Sequence, residues 1–239
     1  MTATSHQRLT GILFIIGAVL VNIPYTLLIM NFDYPDILRE PAGLILSRYQ
    51  EGGTGLIFTW LAFAWVGIPL FFAIVMLQKV LKREDTPYLW SGTVAGVIGA
   101  IAQMIGLLRW TFVVPVLAKT YTDPAASAAT KESAVITFQA VHRYGGVVLG
   151  EHIGQAFTII WMVLISLAMF RSNLFRPWLA WFGILASVVY SLAQTELLAT
   201  VIPKFPVVPE AGLIGSLLWL AWMIVLGIFL VRAKTDAAQ

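Results

Sequence analysis

The sequence predicts an all-α integral membrane protein, a bundle of six transmembrane helices. Composition is the first reason: of 239 residues, 59% are hydrophobic and only 11% charged. Soluble domains run at roughly 45–50% apolar and about 25% charged. The second reason is that several apolar runs exceed the roughly 18–20 residues that carry a helix across a bilayer core. The mean hydropathy of +0.85 agrees with both. The runs are continuously apolar, whereas barrel strands alternate over about ten residues, which selects helices. Residues 1–239 read as a single transmembrane domain, with no internal repeat or low-complexity tract.

The first span is Leu9–Met30. It is too long for the apolar core of a secretion signal and ends without a small-residue cleavage site, so it is expected to be retained. Asp33–Gly53 follows as an external segment punctuated by Pro35, Pro41, Gly52 and Gly53. Its apolar residues Ile37, Leu38, Leu44, Ile45 and Leu46 are expected to lie on the membrane surface in a short helix.

The second span is Thr54–Val80 and the third Tyr88–Ala118. The third carries Gly92, Gly96, Gly99, Gln103 and Gly106 on one face. Small residues let helices approach closely in lipid, so this face predicts a packing seam. Pro24, Pro69 and Pro115 fall inside the first three spans; each frees a backbone carbonyl and is expected to kink its helix.

Ala134–Phe170 is too long for one simple crossing and has no polar turn for two. Gly145, Gly146 and Gly150 predict a break, with a short external interfacial helix over Ala128–His142 and the fourth span over Val147–Phe170. The fifth and sixth spans are Pro177–Ile202 and Ala211–Val231. Tyr88, Trp90, Trp178 and Trp181 stand at span ends, where amphipathic rings favour the interface.

Basic residues orient the bundle. With both termini in the cytoplasm, that side holds Arg8, Lys79, Lys82, Arg83, Arg171, Arg176, Arg232 and Lys234, eight in all. The outside holds Arg39, Arg48, Lys119, Lys131 and Lys204, five in all. The excess and the shortness of the cytoplasmic loops fit the positive-inside rule. The net charge of +3 needs no nucleic-acid partner, because no basic cluster is dense enough to follow a phosphate backbone.

The chain has no cysteine, which excludes disulfides, thiolate metal sites and thiol nucleophiles. Three histidines are too few for a membrane di-iron centre, and no nucleotide, zinc-protease or serine-hydrolase motif occurs. No metal or cofactor is expected. Ionisable residues at membrane depth are costly and mark sites. Here they are Arg109, His142, Arg143, Glu151, His152 and Glu196, joined by the amide of Gln155. Counted along regular helices at 1.5 Å per residue, Arg109, Glu151 and Glu196 all lie roughly 28–32 Å from the cytoplasmic side. That shared level predicts an external-side polar cup, although Glu196 falls off the stripe formed by Ser187, Ser191 and Gln194. Glu151, Gln155, Thr158 and Met162 form another stripe, expected to face the bundle interior.

Two stretches, Phe138-Gln139-Ala140-Val141-His142-Arg143-Tyr144-Gly145-Gly146 and Gly150-Glu151-His152-Ile153-Gly154, resemble a bacterial membrane family known as domain of unknown function 4386. Leu108-Arg109-Trp110, Asp123-Pro124-Ala125-Ala126 and Trp178-Leu179-Ala180-Trp181-Phe182-Gly183-Ile184 add to that resemblance. It implies a multi-pass protein of a bacterial plasma (inner) membrane and no particular activity. The residues themselves lead first to a polar pocket that binds a small or lipid-like ligand among membrane lipids. An enzyme using Glu151 and His152 for acid–base chemistry on a lipophilic substrate is the second reading. A proton-coupled transporter with Glu151 or Glu196 as carrier is the third. No oligomeric state is assigned.

Overall fold

The computed structural model of the chain describes residues 3–81 and 87–233. Lys82, Arg83 and Lys234, counted above among the cytoplasmic charges, lie outside the described residues. Every regular element among the described residues is helical. Six helical stretches are long and apolar enough to cross a membrane: Thr4–Phe32, Ala42–Leu81, Tyr88–Thr122, Ala128–Phe170, Pro177–Ala199 and Ala211–Arg232. Large apolar side chains such as Phe58, Phe112, Trp181 and Leu185 are 60–67% exposed. A water-facing surface would not present so many; a lipid-facing one requires them.

Proline divides three of the stretches. The first is α1 (Ala3–Leu20) and α2 (Asn22–Phe32); the second is α3 (Ala42–Trp65) and α4 (Ile68–Leu81); the third is α5 (Pro87–Phe112) and α6 (Val114–Thr122). Proline lacks the N–H that the carbonyl four residues earlier would receive. For Pro24 and Pro69 that carbonyl belongs to Leu20 and Trp65, the last residues of α1 and α3. For Pro115 it belongs to Thr111, one residue before α5 ends.

The fourth stretch departs from expectation. It comprises α7 (Ala128–Val141), a π-helical segment over His142–Ile153, and α8 (Gly154–Phe170). Gly145, Gly146 and Gly150 do not break it. They lie inside the wider π turns, which keep the backbone hydrogen-bonded without a loop. Asp33–Gly53 also differs. A 3-10 turn over Asp36–Arg39 precedes α3, which starts at Ala42, earlier than the Thr54 expected for the span. Gly53, at φ 55° and ψ −151°, kinks α3 where expectation placed its start. Ile37, Leu38, Ile45 and Leu46 are buried in protein; only Leu44 of that apolar set is exposed. The remaining described elements are α9 (Pro177–Leu192), α10 (Gln194–Ala199) and α11 (Ala211–Arg232).

The chain forms two compact units. One comprises Met1–Val19, Gly67–Ile101 and His152–Gln239; the other comprises Leu20–Val66 and Ala102–Glu151. In the first, α8, α9 and α11 pack around Trp161, Met162, Trp222 and Met223, all 0–1% exposed. The Trp222 indole N–H donates to the Leu179 carbonyl at 3.0 Å. The third-span glycines do form a seam: a Cβ on Gly96 would meet the Trp161 ring at 2.7 Å, and one on Gly99 would meet Thr158 at 2.9 Å. Gly11 and Gly227 bring α1 and α11 together, since a Cβ on either would lie 2.5–2.6 Å from the other's carbonyl oxygen. The buried Gln7 amide donates to the Leu230 and Ala233 carbonyls at 2.9 and 3.2 Å.

The second unit is organised by aromatic rings. Trp110 stacks on Trp60 at 4.8 Å and on Tyr49 at 5.8 Å, and Phe32 meets all three edge-on. Such arrangements contribute about 0.5–1.5 kcal/mol per pair beyond burial. They matter more here because apolar burial gives little drive where the surroundings are lipid.

Candidate functional site

The second unit gathers ionisable side chains from three elements. Arg39 closes the 3-10 turn, Arg109 lies in the last turn of α5, and His142 and Glu151 lie in the π segment. Arg39 donates to a Glu151 carboxylate oxygen at 2.7 Å, with side-chain exposures of 33% and 20%. Electrostatic interactions link Arg109 to Glu151 and Arg39, and His142 to all three.

Arg109 is only 8% exposed. Among the described residues no carboxylate lies within ion-pair distance of it. Its guanidinium donates through Nη1 to the Gly106 carbonyl and lies 5.0 Å from the centre of the Trp110 ring. Its Nε has no hydrogen-bond partner among the described residues. Glycines make the room: a Cβ on Gly146 would sit 2.5 Å from Nη2 and 2.8 Å from Cζ. Gly106 and Gly150 in turn let α5 and the π segment touch through their backbones. A buried cation is expensive and must be compensated. One carbonyl and one ring face compensate this one in part.

His142 stacks on Phe138 at 5.2 Å and meets Trp110 edge-on at 5.9 Å. Its Nε2 is 3.1 Å from the Leu38 carbonyl. A carbonyl only accepts, so Nε2 carries the hydrogen of this bond. Nδ1 is buried without a partner among the described residues, and so is Oε1 of Glu151. Three of the eight such orphaned buried atoms therefore belong to this cluster. Natives leave few buried polar groups unsatisfied, so a concentration of them marks a place for water or a ligand.

Arg109 also lines a groove of about 540 Å³. The other walls include Ile105, Leu108, Phe112, Val141, Tyr144 and Leu149. Ile105, Phe112 and Tyr144 are 50–67% exposed, so the groove opens on the helix surface. It is an apolar trough with one guanidinium in its lining.

The remaining sequence-derived candidates are Arg143, His152, Gln155 and Glu196. Arg143 also falls in the second unit, where its side chain is exposed. His152, Gln155 and Glu196 belong to the first unit, described on its own. There the His152 Nδ1 is 2.6 Å from Gln194 Oε1, and the Gln194 amide donates to Gln155 Oε1 at 2.7 Å. Glu196 is exposed. Glu151 and His152, neighbours in sequence, thus have different partners. Sequence reasoning missed Arg39, which it counted as a loop charge, and Gln194 as the partner of His152. Their separations of 112 and 42 residues leave no periodic signal.

Among the described residues no group of three or more His, Cys, Asp or Glu side chains is placed to hold a metal ion. A family model described as Domain of unknown function (DUF4386) matches residues 9–227. No curated protein and no solved structure matches the chain.

Proposed function

The chain belongs to the Domain of unknown function (DUF4386) family, and we propose that it binds a lipid-like ligand, its chain in the groove of the second unit and its polar head at Arg109. One observation carries this reading. A guanidinium nine-tenths buried, with an orphaned Nε, stands in the wall of an otherwise apolar groove open to the helix surface. Pockets for amphiphiles combine apolar walls with few convergent polar groups. The cluster's charges sum to one excess positive, since Arg39 and Glu151 cancel and Arg109 remains. An oxygen-bearing head complements that excess.

The basic-residue count supports an outer-side position for this site, and the resemblance noted above supports a bacterial plasma membrane. Binding is favoured over acid–base chemistry because Glu151 is committed to Arg39 and His152 to Gln194. It is favoured over proton-coupled transport because Glu196 is exposed and the groove is walled mainly by apolar residues.

The test is native mass spectrometry of the purified chain released from lipid. The wild type should retain a single-chain amphiphile. Arg109→Gln should lose it, and so should Ala140→Trp, which fills the groove from an exposed wall position. Equal retention by all three proteins would end this reading.

A further inference from the structure

Resting on that reading, we infer that the groove depends on helical register. It is formed while His142–Ile153 keeps its π spacing, and the turn at Leu38 and Arg39 is the clasp that holds that spacing. Arg39 is then a positioning residue for the ligand, since it is not among the groove's walls. His142 donates to the Leu38 carbonyl at 3.1 Å, and Glu151 accepts from Arg39 at 2.7 Å. Two adjacent residues of one turn thus hold two side chains nine positions apart. Nine positions make about two and a half turns of an α-helix, which would aim His142 and Glu151 in opposite directions. The i→i+5 bonding of a π-helix widens the turn to roughly 4.4 residues, so nine positions close on about two full turns and one face. Gly146, which makes room for the Arg109 guanidinium, falls on that same face.

The groove relies on the same spacing. Tyr144 and Leu149 both line it, five positions apart. Five positions slightly exceed one π turn but run ~140° round an α-helix, which would carry Leu149 away from Tyr144 and the wall. The π form is the rarer one and is mostly confined to a single turn. Twelve residues of it need tertiary support. An α register is therefore the competing state; in it Glu151 leaves Arg39 and the wall loses Leu149. A ligand that binds only the π register is weakened by the fraction of chains in the other.

The chain has no cysteine, so two introduced ones report alone. Nitroxide labels on Arg143→Cys and Val148→Cys occupy exposed positions outside the groove's walls. They are near neighbours in the π register and diverge in the α register. Continuous-wave spin-resonance spectra of the full chain in detergent should show strong coupling. Arg39→Gln should add a weakly coupled component, palmitate should suppress it, and Arg39→Lys should not produce it. By isothermal titration, Arg39→Gln should weaken palmitate binding roughly two- to fivefold, the population factor of one partly exposed ion pair. Glu151→Gln should weaken it too, although charge alone would tighten it, and this second variant serves if Arg39→Gln does not fold. Unchanged spectra in the folded variants would overturn the clasp. A new component without loss of affinity, or tighter binding by Glu151→Gln, would overturn the dependence of the groove on register. Palmitate binding to none of the proteins would overturn the groove reading and the gating with it, while the spectra alone judge the clasp.

Discussion

Tyr49 donates its hydroxyl hydrogen to the backbone carbonyl of Trp110 while its ring stacks on the Trp110 indole, with planes 20° apart. One residue thereby fixes both the backbone and the side chain at the end of α5, next to Arg109. The bond reaches across 61 residues and is buried.

Removing that hydroxyl separates the two contributions. Tyr49→Phe keeps the stack and leaves the Trp110 carbonyl short of one donor. The expected loss is roughly 1–3 kcal/mol, the cost of an unmet buried polar group. A lowered thermal midpoint in detergent measures it; an unchanged midpoint would mean that the bond contributes nothing.

Gly53 offers a backbone test free of packing. Its φ of 55° with ψ of −151° belongs to a region open essentially to glycine, and a Cβ there would touch nothing within 4 Å. Gly53→Ala should therefore destabilise by about 1–3 kcal/mol through backbone strain alone. Gly55 also has open space around it but sits in regular helix. Gly55→Ala should stabilise by roughly 0.5–1 kcal/mol. Thermal unfolding of the two variants side by side checks the opposite signs.

The guanidinium's cradle predicts coupling. Gly146→Ala places a methyl group against Arg109 and should cost roughly 1–3 kcal/mol from overpacking. In an Arg109→Ala background the same change should cost little, so the pair is non-additive. A double-mutant cycle on unfolding midpoints gives the coupling, and strict additivity would refute the cradle.

Arg39 and Glu151 are partly exposed, and their pair should be modest. A cycle of Arg39→Gln and Glu151→Gln is expected to yield about 0.5–1 kcal/mol, reduced at high salt. Coupling that ignores ionic strength would indicate a drier pair than the exposures imply.

Much of this fold was legible from composition and local chemistry. Length and apolarity mark all six spans because lipid leaves a helix few alternatives. Pro24, Pro69 and Pro115 announce their breaks because the missing N–H is local. The π segment was not legible. Gly145, Gly146 and Gly150 read as a hinge, yet their lack of side chains serves close contact with Gly106 and Arg109. Counting at 3.6 residues per turn also fails through His142–Ile153, so depth and facing taken across Glu151 lose their footing. Of the candidate residues, Arg109, His142 and Glu151 prove to be linked electrostatically within one unit. Arg39 stayed hidden because only tertiary folding brings it to Glu151.

The contacts of Gln7 bear on the order in which the protein assembles. Its amide bonds span 223 and 226 residues, so that anchor stays unmade until α11 leaves the ribosome. The segments of the aromatic unit, Leu20–Val66 and Ala102–Glu151, are by contrast all synthesised before α8 begins. Segments complete early in translation can settle early. The groove-bearing unit is thus positioned to mature before the other during membrane insertion, with α1 held in waiting for α11.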